Sequence, residues 1–152
     1  PNLNDDDWLW GGKPEEIYQT IAHGIRYDGD GETRVSEMPA FTEILQPEEI
    51  KQTAAYVVSL TGMPSDVSMV EPGKALFEAN CASCHGADAK GNRELGAPNL
   101  ADALWLKGEG EQAIIAQMKV PKHGVMPAWL PRLGDTTVKQ LAVFVHSLGG
   151  GE

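Results

Sequence analysis

The sequence predicts an all-α protein, rich in loops, with one complete small domain and a partial tandem copy of it. Three observations predict this. Apolar residues recur at spacings of three and four in several stretches, and no stretch makes a convincing strand. Glycine contributes 17 residues and proline 10, well above the average share of about 12% for the pair, so loops are long and cores modest. The chain also repeats itself. Pro1-Asn2-Leu3 returns as Pro98-Asn99-Leu100, Trp8-Leu9 as Trp105-Leu106 and Ile17 as Ile114, all at an offset of 97. The offset then falls to 88: Met38-Pro39-Ala40-Phe41 returns as Met126-Pro127-Ala128-Trp129, Ile50 as Val138, Ala54 as Ala142 and Ser59-Leu60 as Ser147-Leu148.

The elements follow in order. A short helix is expected over residues 15–21, after the first Trp-Leu step. A longer loop in the first copy, rich in Gly and Asp over residues 27–34, accounts for the change of offset. Its Asp28-Gly29-Asp30-Gly31-Glu32 run lacks the remaining ligands of a twelve-residue calcium loop. Pro47 suits a first helical turn, and Glu48 and Glu49 suit the positive end of the helix dipole. Ile50, Ala54 and Val57 continue that helix on one face. Residues 61–70, with Gly62, Pro64 and Ser65, read as a linker. Pro72 is expected to open a helix through Ala75, Leu76 and Phe77 to Cys81. A second short helix is expected over 112–118. Asp135 or Thr136 can cap a last helix whose face is Val138, Leu141, Ala142, Val145 and Leu148, ended by Gly149-Gly150-Gly151. The expected organisation is a partial first domain over 1–62, a linker over 63–70, a complete domain over 71–149 and a tail over 150–152.

Composition excludes several functions. Acidic residues outnumber basic ones 22 to 12, a formal charge of −10. That balance disfavours nucleic-acid backbone and anionic lipid as partners. With 41% apolar residues the chain is not composed like a disordered acidic tail. No apolar run reaches the ~18–20 residues of a membrane helix. The chain begins without Met or a signal peptide, which reads as a mature or trimmed piece with any targeting or anchoring segment upstream.

Both cysteines fall in Cys81-Ala82-Ser83-Cys84-His85, the attachment signature of a c-type haem. Two thiols three residues apart can each add to one porphyrin vinyl group. The next residue then lies under the iron, so His85 can supply a proximal imidazole nitrogen. A porphyrin fixed this way is an apolar plate that fills the core of a Gly- and Pro-rich chain. A zinc site would need a second ligand pair at zinc spacing, and a thioredoxin-like pair would need a βαβ context; the sequence offers neither. Met126, in a loop stiffened by Pro127, is the candidate distal ligand, with His123 as its competitor. Thioether ligation opposite His raises the potential and leaves no open position for oxygen. By the repeat, Met38 then reads as the distal ligand of a second haem. Its attachment motif is not in this chain; the first copy is truncated, completed by another segment, or empty. Trp8, Trp105 and Trp129 line a haem edge or the core. Arg34, Arg93 and Arg132 are candidate propionate partners or solvated surface residues, and His23 and His146 read as surface or helix-face histidines.

The residues from Phe77 to Gly86, followed by Asp88, Lys90 and Gly91, resemble the haem segment of class I cytochromes c. Gly73 and Phe77, with Phe144, resemble the crossing of the first and last helices in that fold. More narrowly, Asp7-Trp8-Leu9-Trp10-Gly11-Gly12, Thr20-Ile21, Gly24-Ile25-Arg26, Arg34, Glu37-Met38-Pro39-Ala40-Phe41 and Tyr56-Val57-Val58-Ser59-Leu60 resemble the first haem domain of the dihaem subunit III of cbb(3)-type cytochrome c oxidases. Thr42 departs from the glycine expected there. The resemblance implies a non-catalytic electron-transfer subunit carrying haem c, and a second haem in the whole protein. It would relay electrons from a donor cytochrome c towards the catalytic and monohaem subunits of a terminal oxidase, on the periplasmic side of a bacterial inner membrane. The alternatives in the same redox class are a free dihaem cytochrome or the cytochrome subunit of a dehydrogenase. In another class stands a haem enzyme or gas sensor.

Overall fold

The computed structural model describes residues 2–102 and 104–150. Pro1 of the first Pro-Asn-Leu step and residues 151–152 of the expected tail lie outside them. Among the described residues the fold is helical, with isolated bridges and no strand. This agrees with the all-α, class I cytochrome c expectation.

Among the described residues six α-helices form, most of them where the sequence places caps and apolar faces. Helix α1 (Pro14–His23) has Pro at its first turn, and the Glu16 carboxylate accepts from the Lys13 N–H at 3.0 Å. Helix α2 (Pro47–Leu60) repeats the device: Glu49 accepts from the Gln46 N–H at 2.7 Å. Each contact satisfies the backbone N–H of the residue that precedes the helix. α2 buries Ile50, Ala54, Ala55, Val57 and Val58, and Thr53, whose hydroxyl donates to the Glu49 carbonyl at 2.8 Å. Helix α3 (Val67–Asn80) starts earlier than the sequence suggested. Asp66 caps it by accepting from the Ser68 N–H at 2.9 Å, so Pro72 sits inside the helix and the expected linker is half helical. A proline there forfeits one helical hydrogen bond, and the Asp66 cap supplies an earlier start. A single turn, α4 (Ala82–His85), follows at once, then α5 (Glu111–Lys119) and α6 (Leu130–Leu148). α6 is broken at Gly134, whose φ of 74° no helix accommodates, so its long regular part begins at Asp135 as the capping pattern predicts.

The chain divides into two compact units that cut across the two sequence copies. One holds the residues up to Ser36, Arg93–Gly96 and those from His123 onward. In it α1 packs on α6. The other holds Glu37–Asn92 and Ala97–Lys122. There the Met38 loop, a short 3-10 turn (Phe41–Glu43) and α2, all from the first copy, join α3, α4 and α5 from the second.

The crossing in this second unit is between α2 and α3. Phe77 is fully buried and its ring lies 5.4 Å from that of Tyr56. Gly73 is buried because a Cβ there would stand 2.6 Å from the Gln52 carbonyl carbon. The partner of Gly73 and Phe77 is therefore Tyr56 of α2, where the sequence suggested Phe144, its counterpart at the offset of 88. Only six residues join α2 to α3, and short connections make antiparallel neighbours of the helices they join. Full burial of Phe77 and Ile50 contributes about 1.5–3 kcal/mol each.

Candidate functional site

Cys81 ends α3 with its N–H donating to the Phe77 carbonyl at 2.8 Å. Its own carbonyl accepts from the N–H groups of Cys84 at 3.1 Å and His85 at 2.9 Å. This one turn puts both thiols and the imidazole on a short rigid frame anchored in the buried pair Phe77 and Cys81. Both cysteines are free; Cys81 is buried and Cys84 exposed. Burial, helped by the neighbouring Cys84, pushes the Cys81 thiol up to about 11.

The loop after the turn holds the histidine. His85 Nδ1 lies 3.0 Å from the Pro98 carbonyl oxygen. A carbonyl only accepts, so Nδ1 carries the proton and Nε2 keeps its lone pair. Burial lowers the His85 pKa, opposed by that hydrogen bond, which favours the neutral ring needed for ligation. The Gly91 N–H donates to the His85 carbonyl at 2.7 Å, and the Leu100 N–H to the Ala89 carbonyl at 2.7 Å. Gly91 has φ 86°, and a side chain there would meet the backbone of Ala97 to Asn99. Its identity is thus set by a close backbone approach. Two thiols and a neutral imidazole with Nε2 free form the donor set of haem c.

The sulfur candidates fall in different units. Met38 belongs to the unit of Cys81, Cys84 and His85. It packs against the buried cluster of Phe41, Leu45, Ile50, Ala54, Ile115 and Met118, as Leu76 and Ile114 also do. Ile114 also packs against the cluster of Phe77 and Cys81. Met126 belongs to the other unit, backbone-paired with Ile25 by N–H···O bonds of 2.9 Å in both directions. The exposed His123 lies in that unit too.

The remaining candidates are held structurally. Arg34 donates to the carbonyls of Trp10 at 2.6 Å and Glu16 at 3.3 Å, and lies 5.3 Å from the Trp10 ring centre. With Arg93 and Glu94 these residues line a cavity of about 230 Å³. Arg132 covers the Trp129 ring at 5.4 Å, and Trp8 donates to the Gly150 carbonyl at 3.0 Å. His23 is clamped by Asp30 at 3.1 Å and Glu32 at 3.3 Å, so the acidic loop folds onto α1. Sequence reasoning missed the Pro98 carbonyl; the recurrence of Pro-Asn-Leu was the available signal.

No helix among the described residues is long and apolar enough to cross a membrane. Residues 68–145 match the family described as cytochrome c oxidase, cbb3-type, subunit III. Over 152 residues the chain is 80% identical to the cbb3-type cytochrome c oxidase subunit FixP of Rhizobium meliloti (strain 1021), covering all of this chain and 53% of that protein. It is 52% identical over 153 residues to the subunit of that name in Azorhizobium caulinodans, all of this chain and 52% of the relative. It is 46% identical over 154 residues to the subunit CcoP of Cereibacter sphaeroides, all of this chain and 53% of the relative. The chain thus spans about half the length of the curated relatives it matches.

Proposed function

The chain belongs to the subunit III family of cbb3-type cytochrome c oxidases, and from that premise we propose that it is an electron relay carrying one haem c on Cys81 and Cys84. It passes electrons from a donor cytochrome c to the catalytic subunit of the terminal oxidase, at the periplasmic face of a bacterial inner membrane. The whole protein carries a second haem, as the repeat implies. The observation that supports the reading best is the 3.0 Å contact from His85 Nδ1 to the Pro98 carbonyl, which fixes the tautomer and leaves Nε2 for iron.

The haem supplies one-electron iron chemistry, and the residues do the rest. Cys81 and Cys84 would hold the haem through thioether bonds, the buried Cys81 sulfur tying it to the end of α3. His85 would hold the iron through Nε2. A thioether would be the second protein ligand: Met126 for this haem, as the position of Met126-Pro127-Ala128 after the attachment turn suggests, and Met38, by the repeat, for the second haem of the whole protein. Cys84 is exposed at the surface of the turn, where a partner could approach the group it would hold. The charge of −10 steers a basic donor, so the bimolecular rate falls with salt.

Carbon monoxide tests the relay against a sensor or oxygen-binding enzyme. A six-coordinate iron leaves the reduced spectrum unchanged at one equivalent. A rapid spectral change at one equivalent would overturn the relay reading.

A further inference from the structure

One arginine serves both methionine segments at equivalent places. At the offset of 88, Ser36 corresponds to Gly124, and each stands two residues before a methionine, Met38 and Met126. The Arg26 guanidinium donates to both carbonyls, through Nε to Gly124 and through a terminal nitrogen to Ser36, each at 2.8 Å. Arg26, Ser36 and Gly124 all belong to one compact unit. The backbone around Arg26 fixes where its side chain starts. Ile25 and Met126 exchange N–H···O bonds of 2.9 Å in both directions, and the Arg26 N–H donates to the Arg34 carbonyl at 2.8 Å. A Cβ on Gly24 would collide with the Met126 carbonyl, so the two segments lie backbone against backbone. Arg26 itself has φ 52°. That left-handed conformation is unfavourable for a residue with a side chain and persists where the surroundings over-determine it.

Building on the reading of both methionines as iron ligands, we infer that Arg26 is a positioning residue for both distal-ligand loops. One planar donor fork clamps Gly124 ahead of Met126 and Ser36 ahead of Met38. A carbonyl held two residues upstream sets the direction in which the Met-Pro-Ala turn departs, and so the reach of the thioether. The fork selects arginine. Its donors diverge at fixed angles, and its charge strengthens each bond. Lysine offers a point charge on a flexible stem instead. Residues of this kind touch no metal and act through the ligand they orient. Because a single side chain holds equivalent carbonyls of both copies, loosening it loosens both thioethers together.

The sulfur-to-iron band and the rate of carbon monoxide binding at large excess test it, in the haem-loaded chain and in the polypeptide at the relatives' full length. Arg26→Lys keeps charge and stem and loses the fork. It is expected to retain the mass of the attached haem, weaken the band and speed carbon monoxide binding by at least about tenfold. Arg26→Gln, which loses the charge too, should exceed it. In the long form both haems should enter the fast phase. Tyr18→Phe removes the 2.9 Å bond to Asp135 in the same unit and is the control for general loosening; it should leave band and rate unchanged. Absence of the band from the parent would end the ligand reading and the inference with it. A parent band and rate that both Arg26 variants leave unchanged would overturn the inference alone. So would an equal effect of Tyr18→Phe, or a fast phase confined to one haem of the long form.

Discussion

Replacement of Gly73 by alanine reads the crossing of α2 and α3 directly. Alanine is the better helix former by about 1 kcal/mol, so an unobstructed site would gain stability. Here the new methyl would stand 2.6 Å from the Gln52 carbonyl carbon and 3.0 Å from the Tyr56 Cβ. Carbon atoms settle at about 3.5–4.0 Å, so the helices must part by about 1 Å. A gap of that size forfeits a quarter to a half of each affected contact, Phe77 on Tyr56 among them. Overpacking costs about 1–3 kcal/mol, and backbone, which cannot swing aside, puts this site at the upper end. The net expectation is a loss of about 2 kcal/mol, roughly thirtyfold in the folding equilibrium. Denaturant unfolding of the haem-loaded protein measures it as a lower midpoint at unchanged slope. Gly124→Ala, with open space around it, is the control and should stay within about 0.5 kcal/mol. A Gly73→Ala protein as stable as the parent, or more stable, would refute the close approach.

Further expectations follow from other residues. Phe77→Ala should cost about 3–5 kcal/mol by denaturant unfolding, because the ring is fully buried. His85→Ala should retain the mass of one haem but bind carbon monoxide when reduced, which mass spectrometry and absorption together check. Stability should fall in acid for a stated reason. The Glu32 N–H, followed by His23, holds Asp30 below the usual 3.8; the Ser68 hydroxyl and N–H do so for Asp66, and Lys139 and Tyr18 for Asp135. A depressed carboxylate stabilises the fold fully above 3.8 and loses that contribution as pH falls through its lower folded value. The midpoint should therefore drop below about pH 4, and the triple Asn variant should show a shallower drop.

Much of this was legible in the sequence. The start of α2 was written in Pro47-Glu48-Glu49, and the attachment turn in Cys81 to His85, because these signals are local. The start of α3 was obscured by Pro72, a residue that fits a first turn better than an interior one. The partner of Phe77 was obscured for a deeper reason. Tyr56 and Phe144 occupy equivalent positions in near-identical helix faces, so pattern alone fits either. The choice depends on a short connection and on the chain's three-dimensional path. The same ambiguity links Met38 with Met126, since both sit in Met-Pro-Ala and pattern alone fits either.

The ligands of the iron are the centre of the account, and sulfur ligation has its own signature, a sulfur-to-iron charge-transfer band in the oxidised protein. That band should be recorded for the haem-loaded chain and for its Met38→Ala and Met126→Ala variants. A band is expected in the parent, with its loss and a lowered potential in Met126→Ala and its persistence in Met38→Ala. Loss of the band in Met38→Ala with persistence in Met126→Ala would contradict that assignment.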